Sequence, residues 1–283
     1  YNMSVKLLED KLIKSKKIGL LPKVVIPVHF TGLTCNMKKI YELSKEYNFK
    51  IIEDASHAIG SKFENKKTGS CFYSDITVFS FHPVKIITTG EGGAALTNNT
   101  LLENKLNLLR SHGVTRNLDE MSKKNEGKWY YEQIELGYNY RMTELQGALG
   151  IAQMTRLDSF IARRHDIAIK YDDLLSSLPI VTPWQHPHCK TSFHLYVIRL
   201  NLERISISKQ EVFEFLREKG IGVNLHYIPL HTQPFYKNMG FNDGDYPKAE
   251  KYYQEAISLP IYPKMTDDQQ YLVTEKIKEI LEN

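Results

Sequence analysis

Apolar and polar positions follow two different periods in the first half of the chain, and each period predicts one kind of element. Short β-branched runs bounded by turn residues indicate strands, whereas apolar residues recurring every three or four positions indicate helices. The predicted strands cover residues 24–30, 50–54, 75–81 and 93–97. The predicted helices cover residues 5–16, 37–47 and 101–109, with Ser4 and Thr100 as N-caps of the first and last. Strands interleaved with helices predict an α/β sheet covered on both faces, and the short steps between the last strands predict a mixed sheet.

The second half of the chain begins with longer helical patterns, after which predicted strands and helices are again interspersed. Long helices are predicted over residues 142–157 and 159–175, and the polar stretch 110–138 before them has little periodicity. The remaining pattern predicts strands at 193–200 and 223–228 and helices at 208–219, 246–258 and 266–281. This is a smaller α+β unit, so we expect a large domain over residues 1–155 and a small domain over residues 156–283.

Composition narrows the class of protein without naming a function. Apolar residues make up 42% of the 283-residue chain, enough for a real core, and charged residues make up 25%. The net charge of +4 is dispersed, and the lysines of residues 11–17 are typical of a solvated helix face, so we expect no nucleic-acid partner. We also expect no membrane segment, since no apolar run is long enough. Three widely spaced cysteines argue against a disulfide scaffold and favour a cytoplasmic location.

One lysine stands out because it lies inside a mostly apolar turn that ends in glycines. Residues 80–93 read SFHPVKIITTGEGG, with Lys85 at their centre. Desolvation in such a turn disfavours the ammonium form, and only the neutral amine attacks an aldehyde to form a Schiff base. The glycines allow close backbone approach to a ligand. We therefore predict that Lys85 is a catalytic Schiff-base lysine, the alternative being an ordinary exposed lysine in a turn.

A carboxylate upstream of Lys85 completes the chemistry that pyridoxal 5′-phosphate (PLP) requires. Asp54 ends an apolar strand, which is where α/β proteins bind ligands. A pyridinium N–H would satisfy this carboxylate and keep the ring protonated as an electron sink. The alternative is a strand-end cap onto the backbone of Ser56 and His57. Lysine and aspartate together predict a PLP site, and His57 is a candidate to stack on or bond to the ring.

Further polar residues are candidates for the phosphate and the substrate. Ser80 and His82 precede the lysine, and a hydroxyl there can donate to a phosphate oxygen. Asn139 is a second phosphate candidate, although by its position alone it is a turn residue ahead of a helix. The tentative substrate-binding residues are Arg141, His194, His226, Tyr227 and His231. The histidines of residues 226–231 lack a nearby carboxylate or cysteine, so we expect no metal site there.

Three separated segments together resemble one known family. Residues 53–60 (EDASHAIG), 80–93 and 137–146 (GYNYRMTELQ) resemble, in this order, the DegT/DnrJ/EryC1 family of PLP-dependent sugar aminotransferases, and the resemblance covers essentially the whole chain. It implies the fold-type-I aminotransferase fold. It also implies a homodimer and transfer of an amino group from glutamate to a keto group on a nucleotide-activated sugar.

The resemblance also implies roles for individual residues. Lys85 matches the Schiff-base lysine, Asp54 the partner of the pyridine nitrogen, and Ser80 a phosphate contact. Asn139 resembles the phosphate contact given to the neighbouring subunit's cofactor, so each active site would need two chains. Family members that dehydrate sugars carry histidine at the position of Lys85, so the lysine favours transamination.

Details of residues 81–85, 110–116 and 129–132 are similar to one branch of the family. That branch aminates the 4-keto position of a UDP-linked 4-keto-6-deoxy-N-acetylhexosamine in pseudaminic acid biosynthesis. Another nucleotide-linked keto-sugar, with a 3-keto group or a dTDP or GDP carrier, stays open as the alternative.

The start of the chain departs from the family pattern. Family members have a further N-terminal segment that supplies a phosphate-binding turn and an aromatic residue over the cofactor ring. The chain opens at Tyr1 without an initiator methionine, so we expect that an N-terminal part is missing. An inactive fragment that keeps only a dimerisation or scaffold role is therefore a second alternative.

Overall fold

The computed structural model describes residues 1–123 and 126–282. Within them, the first half of the chain is built around a mixed sheet. Its four strands have the order β1-β2-β5-β6. Strands β1, β2 and β5 run parallel, and β6 runs antiparallel to β5. The strands of the first half are β1 (Val24–Val25), β2 (Lys50–Asp54), β3 (Lys62–Phe63), β4 (Lys66–Lys67), β5 (Ile76–Ser80), β6 (Gly93–Leu96), β7 (Val114–Thr115) and β8 (Glu132–Gln133). The predicted mixed α/β sheet is confirmed.

Helices of the first half alternate with these strands, and most of them begin at a polar N-cap. They are α1 (Val5–Lys17), α2 (Met37–Tyr47), α3 (Thr100–Leu109), α4 (Glu144–Met154) and α5 (Leu157–Leu174). Helix α2 follows its N-cap Asn36 and ends at Asn48, which adopts the left-handed conformation that stops helices. A core cluster joins Leu12 of α1, Ile40 of α2 and Ile51 of β2.

The second half builds a separate core around an antiparallel sheet of order β12-β11-β9. Its elements are β9 (Ile180–Val181), β10 (Cys189–Lys190), β11 (Tyr196–Leu200), α6 (Lys209–Glu218), α7 (Pro234–Lys237), α8 (Pro247–Glu255), β12 (Ala256–Leu259) and α9 (Asp267–Glu282). Ser208 and Glu211 form the capping box that starts α6. Helices α5, α6 and α9 pack on this sheet. The domain boundary expected after residue 155 stays a prediction.

Several sequence-based boundaries were wrong for identifiable reasons. The strand predicted over residues 24–30 stops at Val25, with one bridge at Val28, because Pro27 has no N–H to donate. Asn99, not Thr100, caps α3, since its side chain accepts from two backbone amides.

Two errors lie in the second half, where tertiary pairing overrides the local pattern. The strand predicted over residues 223–228 is a single bridge between Asn224 and Ser258. The helix predicted over residues 246–258 ends at Glu255, and the next four residues form the fully buried strand β12 against β11. The polar stretch 110–138 contains the short pair of β7 and β8. Among the described residues, no helix is both long and apolar enough to cross a bilayer.

Candidate active site

The carboxyl end of β2 presents Asp54 at the edge of the sheet. The Asp54 amide donates to the carbonyl of Pro27 (3.0 Å), and its carbonyl accepts from the amide of His29 (3.0 Å). Its carboxylate Oδ1 accepts from the amide of Ser56 at 3.0 Å. The strand-end cap considered from sequence is therefore present, but it engages one of the two carboxylate oxygens. Both backbone groups of Asp54 bond to one neighbouring segment, residues 27–29, so the side chain has a fixed origin.

Lys85 lies in the loop that joins β5 to β6, which is the neighbouring strand end. The loop closes through the Phe81 amide, which donates to Gly92 O (2.8 Å), and its apolar flank is Ile86 and Ile87, both buried. Burial lowers the pKa of the Lys85 ammonium below its ordinary value, and the negative charge of Asp54 offsets this only in part. The lysine therefore becomes a neutral nucleophile more readily than a surface lysine does.

Three histidines surround the lysine and stay neutral. His57 and His194 are 8% and 6% exposed, and their ring centroids are 4.5 Å apart. Burial, and then the positive charge of Lys85 among other charges, lowers the pKa of His57 to about 4. Burial also lowers the pKa of His194 to about 2, and His57 and Lys85 add to the shift. Burial and Lys85 likewise lower the pKa of His226. Because all three rings respond to Lys85, they lie around one charged centre.

Tyr227 links this group to the second half of the chain. Its hydroxyl lies 3.3 Å from Nε2 of His57, and the two rings are stacked with centroids 6.3 Å apart. His226 Nδ1 lies 2.8 Å from the hydroxyl of Ser258 on β12. The group thus combines residues that are about 170 positions apart in the sequence.

The polar atoms left over in this group fit a polar aromatic ligand. Within the described part of the chain, Nδ1 of His57 and Nδ1 of His194 are buried without a hydrogen-bond partner. Buried polar atoms are normally paired, so unpaired ones beside a half-buried lysine indicate a missing ligand. At Gly92, φ is +154°, and a Cβ would lie 2.4 Å from the hydroxyl of Thr89, so no side chain fits there. These features suit the PLP ring expected from the sequence.

Other candidate residues lie at the margin of the group or make their contacts elsewhere. Ser80 ends β5 beside Asp54's strand, and its hydroxyl accepts from the His82 amide at 3.4 Å. His82 itself is exposed, and its ring lies 3.8 Å from Glu91. His231 is buried and pairs with Glu250 at 2.8 Å, a contact that already accounts for its polarity.

Asn139 and Arg141 lie on the exposed segment that leads into α4. Arg141 Nε donates to Asn139 Oδ1 at 3.3 Å, and a guanidinium nitrogen of Arg141 lies 3.5 Å from the His112 ring. The backbone of Asn139 bridges to Ser111. Both side chains face outward and contact each other and this loop. Their predicted contact with a cofactor stays a prediction.

Sequence reasoning missed the residues that support the group from behind. The ring of Phe30 lies 6.1 Å from His57 and 6.2 Å from Tyr227. Ser192 donates to the carbonyl of His57 at 2.9 Å, across 135 positions of sequence. Neither residue has a motif of its own, because its role comes from tertiary packing. For Glu53, another supporting residue, the sequence did contain a signal, because a second acid in an apolar strand is unusual.

Comparison with known proteins decides the family. The model of the DegT/DnrJ/EryC1/StrS aminotransferase family matches residues 1–278. The chain belongs to this family. Family membership confirms the resemblance seen in the sequence, and the protein is a PLP-dependent sugar aminotransferase.

Individual members of the family are similar over nearly the whole chain. A UDP-4-amino-4,6-dideoxy-N-acetyl-beta-L-altrosamine transaminase of Campylobacter jejuni is 38% identical over 283 residues, which are 99% of this chain and 71% of that protein.

Solved structures of two other members agree with the fold. Helicobacter pylori PseC, an aminotransferase involved in the biosynthesis of pseudoaminic acid, superposes with a TM-score of 0.87 at 30% identity, over 99% of this chain and 71% of that one. The PLP form of the putative sugar aminotransferase Spr1654 from Streptococcus pneumoniae gives 0.84 at 28% identity, over 99% and 72%. These structures confirm the predicted fold class.

Proposed function

We propose that this enzyme moves the amino group of glutamate to the 4-keto position of a UDP-linked 4-keto-6-deoxy-N-acetylhexosamine, a step of pseudaminic acid biosynthesis. The observation that carries the proposal is the half-buried Lys85 amine, which shares its surroundings with Asp54 and three neutral histidines. The substrate follows from the names of the Campylobacter and Helicobacter relatives. Three free cysteines fit the cytoplasmic location that we propose with it.

Lys85 would hold the cofactor covalently and then act as the acid and base. Bound PLP supplies an aromatic ring that delocalises a carbanion. Once the substrate amine had displaced it, the neutral Nζ of Lys85 would take the proton from the donor's α-carbon and return it to the cofactor's former aldehyde carbon, which lies outside the ring. Burial lowers the pKa of Lys85, so its base form is more available than that of a surface lysine. The same amine runs the proton transfer in reverse for the sugar ketone.

Asp54 and its neighbours would orient the ring. The Asp54 carboxylate, with one oxygen engaged by Ser56, offers the other to a pyridinium N–H. The His57 ring, with its unpaired Nδ1, supplies a polar edge beside it. Ser80 and Asn139 would contact the phosphate, and His82 would close the same side of the cofactor.

The substrate would meet the second half of the chain at the Tyr227 ring. Tyr227 is 52% exposed, although its hydroxyl contacts His57. His194 and His226 would serve the sugar from this half, whereas the predicted substrate residue His231 is already paired with Glu250. Arg141 would meet an anionic group of the nucleotide. Neutral histidines suit hydroxyl groups, because each ring both donates and accepts a hydrogen bond.

The site would be completed by a second copy of the chain. Helix α4 has no buried residue, and four of its apolar side chains are exposed, namely Leu145, Leu149, Ile151 and Met154. An apolar groove of about 580 Å³ lies between this helix and residues Phe81 and Ile87 of the lysine loop. Exposed apolar surface of this kind favours a subunit interface. A homodimer packed on α4 would bring one chain's Asn139 near the other chain's lysine.

The shared site is tested by mixing two inactive variants. Chains with Lys85→Ala are mixed with chains carrying Asn139→Asp, whose new charge repels a phosphate. In a shared site, half of the dimers are mixed and each has one intact site, so activity returns to about a quarter of the wild-type value. If each chain uses its own Asn139, the mixture stays inactive.

The covalent role of Lys85 is tested by borohydride reduction of the PLP-loaded protein, followed by peptide mapping. The reduced adduct is expected on Lys85, and an adduct on any other lysine contradicts the assignment. Lys85→Arg should lose the adduct and lower turnover by about 10⁴-fold or more, because guanidinium does not deprotonate. A panel of nucleotide keto-sugars with glutamate identifies the substrate, and preference for a 3-keto or a dTDP or GDP sugar would replace the substrate proposed here.

A further inference from the structure

A buried acid lies directly behind Asp54, on the other face of the same strand. Glu53 is 5% exposed and His29 is 0% exposed. Successive residues of a strand point to opposite faces, so Glu53 points into the core while Asp54 points toward the site. A buried carboxylate is costly unless several donors satisfy it. Its presence one residue from the proposed ring partner therefore asks for an explanation.

Three side-chain donors converge on this carboxylate, one from the segment after β1 and two from β5 and the residues just before it. Its Oε2 accepts from His29 Nε2 at 2.7 Å, and its Oε1 accepts from Thr77 Oγ1 at 3.0 Å and from the hydroxyl of Ser74. Burial would raise the pKa of Glu53, but these hydrogen bonds outweigh it and hold the pKa below its ordinary value. The group is therefore an anion with a complete set of partners.

The residues that bind Glu53 lie on the segments that also flank Asp54 in the sheet. The Cys35 amide donates to His29 Nδ1 at 3.2 Å, which leaves Nε2 as the nitrogen that donates to Glu53. The backbone amide of the same histidine donates to the carbonyl of Asp54. Thr77 is the register partner of Glu53 on β5, one position before the partner of Asp54. One network thus ties the segment after β1, strand β2 and strand β5 together at a single level of the sheet.

This network fixes the direction of Asp54. A shift of register by one residue would exchange the faces of Glu53 and Asp54. Ordinary apolar packing resists such a shift only through shape, whereas three hydrogen bonds to one carboxylate also specify its orientation. A sheet interior could be filled by apolar residues at less cost in desolvation. The network is therefore suited to positioning rather than to stability alone.

We propose that Glu53 is a positioning residue for the cofactor: through His29, Ser74 and Thr77 it holds the end of β2 so that the Asp54 carboxylate meets the pyridine nitrogen of PLP. This inference rests on the proposed role of Asp54. Glu53 itself lies behind the strand and does not touch the ligand.

The test compares Glu53→Ala, Glu53→Gln and Thr77→Val in the full chain. Glutamine can keep its oxygen toward His29 and its amide toward the two hydroxyls, so it preserves the shape of the network without the charge. Alanine removes every acceptor. Each protein is titrated with PLP, the absorbance spectrum of the bound cofactor is recorded, and the thermal midpoint of the cofactor-free protein is measured.

The expected pattern is weaker PLP binding by about tenfold in Glu53→Ala, the size of one hydrogen bond to a charged group, with an altered spectrum. Glu53→Gln should return to within about threefold of wild type, and Thr77→Val, which keeps its volume, should lie between them. Should Glu53→Ala fail to fold, the two milder variants carry the test, and wild-type binding and spectrum in Thr77→Val overturn the inference.

A matched control separates positioning from stability. Tyr196→Phe removes a partly buried 2.6 Å hydrogen bond to Asp172 in the other core. It should lower the thermal midpoint and leave the PLP affinity and the spectrum unchanged. If Glu53→Ala behaves in the same way, Glu53 is only structural and the inference is wrong. If Asp54→Asn also leaves the spectrum unchanged, the proposed role of Asp54 fails first, and the role of Glu53 falls with it.

Discussion

The two halves of the candidate site differ in how much of their surroundings this chain supplies. Around Asp54 and Lys85, buried strands, a closed loop and three histidines come from the chain itself. Around Asn139 and Arg141, the side chains are exposed and lead into an uncovered helix. The first half is pre-organised within one chain. The side around Asn139 and Arg141 is an exposed surface, on which we propose that a second copy of the chain packs.

Helices α2 and α4 make the same contrast at the level of sequence. Each has 11 residues, but α2 has five charged residues and buries five positions, whereas α4 has one charged residue and buries none. The more apolar helix is therefore the less covered one. Burial within one chain follows the apolar pattern, and α4 departs from it, which supports the subunit interface proposed on this helix.

The largest loss of turnover is expected at Asp54, on the side of the site whose surroundings this chain supplies. Asp54→Asn keeps the shape and the contact with Ser56 but removes the charge that would face the pyridinium. Loss of one partner from a buried ion pair costs about 3–5 kcal/mol, so turnover should fall by about 10²- to 10³-fold. Single-turnover absorbance with glutamate measures the loss.

Asp75→Asn is the matched control for this prediction. Asp75 precedes β5, and its carboxylate accepts from the amide of Ile51 in β2 at 2.9 Å. The substitution should cost a little stability and leave turnover within about threefold of wild type, because the residue caps a strand and touches no ligand. Equal losses in both variants would mean that any change to β2 matters and that Asp54 has no special role.

The side of the site around Asp54 and Lys85 was also the side that the sequence could predict. Strand β2 and helix α2 lie where the pattern placed them, because a short apolar run and a helical period over residues 37–47 are local signals. Lys85 and Asp54 were found because each sits in a local context that is unusual for a charged residue. The cofactor chemistry follows from these two residues and needs no long-range contact.

The remainder of the site depends on contacts that local patterns do not encode. His57 meets Tyr227 and Ser192 only after the second core has formed. The buried pair of His29 and Glu53 joins segments 24 positions apart, and although both residues lie in predicted strands, nothing in the local pattern pairs them. Strand β12 was read as helix because its pairing with β11 overrides its local propensity.

The second effect is expected at α4. Leu145 is 85% exposed in one chain, so Leu145→Asp should leave the folded monomer intact. In a dimer packed on this helix, the substitution buries an unpaired charge and should weaken association by about 100-fold. Sedimentation velocity over a concentration series measures the change, and turnover should fall with the dimer fraction.

Ile169→Asp on α5 is the control, since Ile169 is also exposed, at 59%, but lies on the helix that packs against the other core. It should leave association unchanged. An unchanged assembly in Leu145→Asp would remove the distinction between the two halves, because α4 would then be an ordinary exposed helix.

The smallest expected effect is a loss of stability at acid pH, which tests how tightly the side of the site around Asp54 and Lys85 is buried. Folding holds the pKa of His57 at about 4 and that of His194 at about 2, whereas the unfolded chain protonates both near pH 6.5. Below pH 6.5 the unfolded state therefore binds more protons, and stability falls as the pH falls toward 4. For His57 alone, the loss should reach about 2.5 kcal/mol by pH 4.5, at about 1.4 kcal/mol for each pH unit below 6.5. Urea unfolding from pH 7 to 4.5 measures how stability depends on pH.

Two variants control this measurement. His57→Gln should make the pH dependence of stability flatter, whereas His188→Gln, at an exposed site, should leave it unchanged. If the slope is the same in all three proteins, the rings are not held neutral by burial, and the first half of the site is as open as the second.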